Sequence, residues 1–195
     1  MFITDQKIYD GPFIHQRFAY KYFRDKTSAT GNIVSFVSPV EVTTGLIDLE
    51  DALSKDYIYS EKMINFCWEI PCIRDCFGAI AFQRVFNTGI GDILAKYVKA
   101  PINVEGDDLM IIKEHKQGGI IQTQGKASVS ITHMAGEAAI GHTGINIVAG
   151  NRAPAFAFST NLSESDTEKF RAEVEQFFYW LVNDIFVATT KIQIK

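Results

Sequence analysis

The chain has 195 residues, 47% of them hydrophobic and 22% charged, ordinary proportions for one globular domain that buries about 70% of its unfolded surface. A net charge of −4 gives no general attraction for phosphate backbones or anionic lipid, so charge suggests neither nucleic-acid nor membrane-surface binding. No apolar run reaches the roughly 18 residues that span a bilayer, and the first residues are charged too early for a signal peptide. The expectation is one soluble, cytoplasmic α+β domain over residues 1–195.

In chain order, residues 2–9 read as a short strand ending at the turn Asp10-Gly11-Pro12. Residues 13–24 carry Ile14, Phe18 and Tyr22 on one helical stripe. A strand follows over 32–42, where Pro39 requires an edge or a bulge. Residues 62–70 read as another strand, and Pro71 opens a long helix to about Val98. Its expected buried stripe is Ile73, Phe77, Ile80, Ala81 and Val85, with a break near Thr88 because Gly89 and Gly91 weaken the middle. The three cysteines, Cys67, Cys72 and Cys76, have neither zinc-ribbon nor CxxC spacing and read as free thiols.

Residues 101–159 form a run of strands. Gly118-Gly119 marks one hairpin turn, Gly136 another between Ala127–His133 and Ala138–Ile147, and Ala155–Ser159 is a last short strand. The final helix is capped by Ser163 with Asp166, or by Ser165 with Glu168. Phe170, Val174, Phe177, Phe178, Leu181, Val182, Ile185 and Phe186 then keep helical spacing.

Side chains alternate faces along a strand. Strict alternation from Gly125 to Ile131 sends Ala127, Val129 and Ile131 to the core, and Lys126, Ser128 and Ser130 to the other face. In the next strand His142, Gly144 and Asn146 share one face. Pairing these strands lines up a lysine, two hydroxyls, an imidazole and a carboxamide, with Gly144 leaving room for a flat ligand. Such a set suits an anionic or polar small molecule, although a plain half-solvated sheet also satisfies the pattern. Asp107 and Asp108 are adjacent, so only one of them reaches that face. Arg84 falls on the apolar helix stripe and is either a ligand clamp or half of an internal ion pair with Glu69 or Glu50. Asp48-Leu49-Glu50-Asp51 reads as a solvated loop or helix start rather than a metal site. His15, His115, His133 and His142 lack zinc-ligand spacing, so no metal centre is expected.

Three ordered segments carry a resemblance: Gly106-Asp107-Asp108-Leu109, Gly125 to Ile131, and His142-Thr143-Gly144-Ile145-Asn146-Ile147. With Asp48 to Asp51 and Gln83-Arg84 they resemble the prokaryotic family known as domain of unknown function 366. More distantly they resemble the biotin protein ligase and lipoate ligase superfamily, related in fold to class II aminoacyl-tRNA synthetases. By position, Asp108 matches the aspartate of the ligases' "PND" turn, Lys126 their essential lysine, and Gly144 and Asn146 their "GIGIN" strand. The resemblance implies a mixed, largely antiparallel sheet backed by helices. It also implies activation of a carboxylic acid with ATP and magnesium, with Lys126 and Asp108 catalytic and Asn146 on adenine or ribose. The chain departs from the ligases in lacking their Arg- and Gly-rich adenylate loop, and from the first family in carrying Asn65 where a histidine is expected. Three functions stay open: an adenylate-forming ligase or acyltransferase, a small-molecule binding module without turnover, and a homo-oligomeric interaction protein such as a homodimer.

Overall fold

The computed structural model describes residues 8–9, 17–116 and 120–193. Its centre is a four-stranded antiparallel sheet in the order β1-β2-β7-β6, formed by β1 (Asn32–Val42), β2 (Ile58–Ile70), β6 (Ser128–Ala135) and β7 (Ala138–Val148). A three-stranded antiparallel sheet, β3-β4-β5, flanks it, with β3 Ile102–Glu105, β4 Asp108–Lys116 and β5 Ile120–Lys126. The helices are α1 (Phe18–Phe23), α2 (Leu49–Ser54), α3 (Cys76–Val98) and α4 (Glu164–Thr189). This is the expected α+β class with antiparallel sheets backed by helices.

β1 is an edge strand, and its register with β2 shifts between Ser38 and Val40, around the exposed Pro39. Both readings of that proline therefore hold: its missing N–H is tolerated at an edge and at a bulge. β2 begins at Ile58, earlier than expected, because a second register shift at Lys62 and Met63 interrupts its alternation. Of the expected first strand, Ile8 and Tyr9 are described; Tyr9 bridges Val40 in parallel. The turns at Asp10-Gly11-Pro12 and Gly118-Gly119, and Ile14, lie outside the described residues. Phe18 is buried as expected, whereas Tyr22 is exposed. Ala155–Ser159 is not a strand; Ala157 makes one isolated bridge to Lys126.

The long helix corrects two expectations. It starts at Cys76, capped by the Asp75 carboxylate on the Gly78 N–H, rather than at Pro71. Its buried stripe is Ala79, Phe82, Phe86, Ile90, Ile93 and Leu94, while Phe77 is 85% exposed and Ile80 and Val85 are also exposed. α3 carries two apolar stripes, and periodicity alone does not choose between them; the stripe with two phenylalanines buries more area and wins. No break occurs at Thr88. Gly89 instead allows a close helix contact: a Cβ there would lie 2.1 Å from the Phe177 ring of α4. α4 follows the expected cap, with Ser163 accepting from the Asp166 N–H at 3.1 Å. Phe170, Val174, Phe178, Leu181 and Val182 are buried, while the expected stripe's end, Ile185 and Phe186, is exposed.

The large sheet thus has two different faces. α3 and α4 cover one, over Ile33, Ile64, Phe66, Trp68, Ile145 and Ile147. The other carries Val34, Phe36, Val40, Met63 and Cys67, packed with Tyr9 and Phe18. Among the described residues no helix is long and apolar enough to cross a membrane.

Candidate ligand pocket

A cavity of about 660 Å³ lies on the face of the sheet opposite α3 and α4. Val40, Val42, Val129 and Ile131 form its apolar floor, together with His133 and His142. Residues 43–48, which join β1 to α2, form another wall with Glu50 and Asp51 of α2, and Asp107, Asp108 and Lys126 stand beside them.

Lys126 Nζ meets Asp108 Oδ1 at 2.8 Å, with both side chains 30% exposed. The sequence places this pair by a simple device. Lys126 ends β5, and Asp108 begins β4 just after the Gly106 turn, where φ is +65° and favours glycine. The Lys126 backbone is clamped on both sides, its N–H donating to Phe156 O and its carbonyl accepting from the Phe158 N–H, each at 2.8 Å.

Asp107 lines the cavity as well, contrary to the expectation that only one of the two acids reaches it. It lies in the turn before β4, where strand alternation does not apply, and its carboxylate is held from α3. Arg84 Nη1 lies 3.0 Å from its Oδ1, Gln83 Nε2 donates to its Oδ2 at 3.3 Å, and Asn87 Nδ2 donates to its carbonyl at 2.9 Å. Arg84 is therefore in an ion pair, but with Asp107 rather than Glu69 or Glu50, and it is partly exposed beside the stripe that α3 leaves in solvent. Gln83 also donates to Ser130 Oγ at 2.9 Å, and Thr143 Oγ1 donates to Asn87 Oδ1 at 2.9 Å. A closed polar network so ties the Asp107-Asp108 turn to the middle of α3.

The serines correct the expected face. Strict alternation fails at Ala127, which sits between β5 and β6 and links the two sheets through its N–H to Leu109 O at 2.9 Å. Past that break Val129 pairs with Gly144 and Ile131 with His142, whereas Ser128 pairs with Ile145 and Ser130 with Thr143. Ser128 and Ser130 consequently share the helix side with Thr143 and Ile145. Ser128 Oγ accepts from the buried Leu109 N–H at 2.8 Å, a contact between sheets. Ser130 touches the cavity, but its hydroxyl is engaged with Gln83, Thr143 and the His142 carbonyl.

His142 does line the cavity. It is buried, its ring stacks on Tyr9 with centroids 4.3 Å apart, and its Nε2 is 2.8 Å from Asn65 Oδ1. Burial lowers its pKa to about 3, so the ring is neutral at ordinary pH. Gly144 offers no room for a ligand: Met63 Sδ would lie 2.1 Å from a Cβ there. Asn146 shares the strand face with His142 but is not among the cavity residues; its backbone bonds Ala127 and Thr160. Its buried Oδ1 meets no hydrogen-bond partner among the described residues.

Several cavity residues escaped the sequence reading. Asp48, Glu50 and Asp51 belong to the wall, where the Asp48 carboxylate caps α2. Burial first and the Asp48 charge second push the Asp51 carboxyl above its ordinary pKa, while Lys126 pulls it down. The spacing of Asp48 and Asp51 carried the capping signal, but nothing local showed that the cap faces a cavity. Tyr9 and His133 carried no signal at all.

The sequence profile of the family described as Domain of unknown function (DUF366) matches residues 1–193. The chain belongs to this family. Its fold is similar to that of a protein of unknown function from Pyrococcus horikoshi, at a TM-score of 0.82 and 18% identity over 100% of this chain and 98% of that one. It is also similar to a biotin protein ligase from Aquifex aeolicus in complex with biotin and ATP, at 0.55 and 14% identity over 93% of this chain and 70% of the other. A biotin protein ligase from Leishmania major in complex with biotin matches at 0.51 and 12% identity, over 100% of this chain and 83% of that one. At these identities the likeness is one of fold. No curated protein matches the sequence.

Proposed function

We propose that this DUF366 protein is an ATP-dependent carboxylate-activating enzyme, a ligase or acyltransferase, acting on a small acid held in the cavity. The observation that carries this reading is the Lys126–Asp108 pair, half-open at the edge of a cavity of about 660 Å³, in a fold shared with biotin protein ligases. A cation fixed at the edge of a cavity with an apolar floor is what charge development in nucleotidyl transfer to a carboxylate requires. The substrate carboxylate oxygen bonds to the α-phosphorus, the bond to pyrophosphate breaks, and Lys126 neutralises charge on the α-phosphate and acyl oxygens. Asp108 holds the ammonium in place. A cytoplasmic setting, as expected from the sequence, would supply ATP.

The wall residues suit magnesium in character. Asp51 is a carboxyl whose ionisation is disfavoured by burial and by Asp48, a penalty that a divalent cation relieves. Magnesium bound by one or two carboxylates takes its remaining ligands from phosphates and water, and it would draw charge from the phosphates there. ATP–pyrophosphate exchange across a panel of carboxylic acids tests the reading. Exchange with at least one acid, abolished by Lys126→Ala, is expected. Silence across the panel with a folded, magnesium-loaded protein would reject it.

One observation favours a second reading, a binding module without turnover. Among the described residues the cavity wall carries Glu41, Asp48, Glu50, Asp51, Asp107 and Asp108 against the single ammonium of Lys126. Such a balance binds a phosphate chain poorly without a metal. Thermal stabilisation by acids or nucleotides, without any exchange, is the outcome this reading expects.

A further inference from the structure

Two imidazoles stand on one face of the sheet at the cavity floor. Ile131 of β6 is paired with His142 of β7, and His133 lies two residues on from Ile131, so all three side chains point the same way. Their proton positions follow from their partners. Asn65 Nδ2 donates to Ser38 Oγ at 3.1 Å and to the Met63 carbonyl at 3.3 Å. A carbonyl only accepts, so this amide orientation is settled, and Asn65 Oδ1 must accept from His142 Nε2–H at 2.8 Å. A neutral ring protonated on Nε2 leaves Nδ1 as a bare acceptor, and this atom meets no hydrogen-bonding group of the described residues. His133 repeats the arrangement with its nitrogens exchanged. Its Nδ1 lies 3.2 Å from the Met134 carbonyl and donates to it, and its Nε2 is buried without a partner.

The rest of this floor is Val40, Val42, Val129 and Ile131. Water in the free cavity can satisfy His142 Nδ1, whereas His133 Nε2 is closed off from it. An apolar ligand that displaced this water would leave the His142 acceptor unpaired in an apolar site, which is costly. We propose that the acid bound in this cavity carries an N–H or O–H donor on its body, such as an amide or hydroxyl group, which pairs with His142 Nδ1. This rests on the carboxylate reading above and sharpens it: unsubstituted alkyl acids are disfavoured, and His142 becomes a specificity residue.

The test is binding and pyrophosphate exchange with straight-chain acids of about four to eight carbons, each compared with its counterpart bearing a terminal amide or hydroxyl. The donor-bearing acid of at least one pair is expected to bind about tenfold or more tightly than its plain counterpart. His142→Phe keeps an aromatic ring for Tyr9 and removes the acceptor; it should abolish that preference. If this variant does not fold, His142→Leu, a smaller apolar replacement, supplies the same comparison. Equal binding of plain and donor-bearing acids, in the wild type and in the variants, would overturn the proposal and leave the carboxylate reading standing. Failure of every acid to bind would remove both.

Discussion

The two faces of the large sheet are built from the same strands and behave as different materials. Toward α3 and α4 the rings of Trp68, Phe82, Phe86 and Phe178 pack edge-on or stacked, with centroids 5.1 to 5.9 Å apart. The nearby polar side chains Gln83, Asn87, Ser130 and Thr143 are closed into one network with Asp107. On the other face a chain of polar groups, Ser38, Asn65 and His142, runs through the apolar packing and reaches a cavity. On the helix side these network groups satisfy one another, and Trp68 Nε1 is left without a partner among the described residues. The other face ends at His142, whose Nδ1 only a ligand or solvent can satisfy. The difference teaches where stability and where selectivity reside in the same seven-stranded framework.

The largest effect should come from the helix-covered face. Trp68→Ala is expected to lower the unfolding free energy by about 3–5 kcal/mol, whereas Val129→Ala, beside the existing cavity, should cost about 1 kcal/mol or less because it opens little new void. Urea denaturation of both variants measures the contrast, and equal losses would break it.

Next is the pH response of His142. Its folded pKa of about 3 lies below the unfolded value near 6.5, so between these limits the unfolded chain binds a proton that the folded protein does not. Stability is complete above about pH 6.5 and falls with pH, by up to about 1.4 kcal/mol per pH unit from this residue. Urea melts between pH 7 and pH 4 should show a shallower slope in His142→Phe than in the wild type.

Smaller still is Thr143→Val, which leaves the buried Asn87 Oδ1 without its donor and should cost about 1–2 kcal/mol by urea denaturation. A loss within error would mean that the helix-side network is not closed. The smallest stability effect belongs to Lys126→Ala. Its partly exposed pair with Asp108 is worth under about 1 kcal/mol, so this variant should melt near the wild type while losing ligand binding by calorimetry. A large drop in melting temperature would make Lys126 a structural residue.

Much of the framework was legible from local pattern. α4 was readable because Ser163 caps it and its apolar positions recur without interruption up to Val182. The β6–β7 hairpin was readable from Gly136, whose φ of +63° the turn requires. α3 was misread in face because Phe77, Ile80 and Val85 imitate a core stripe as well as Phe82, Phe86 and Ile90 do. The serines were misread because one residue between strands, Ala127, resets the alternation, and a reset of this kind leaves no mark in composition.

By itself the sequence determined the elements, the α+β class and the family, because capping, turn chemistry and periodicity act over a few neighbouring residues. It also brought Lys126 and Asp108 into consideration together, through motif order. Only the tertiary structure decided that Lys126 and Asp108 touch, that Arg84 serves Asp107, that Asp51 borders a cavity, and that Asn65 sets the proton of His142. These are contacts between residues 18 to 77 positions apart in the chain, chosen by how two sheets and a helix pack. No local preference encodes such packing.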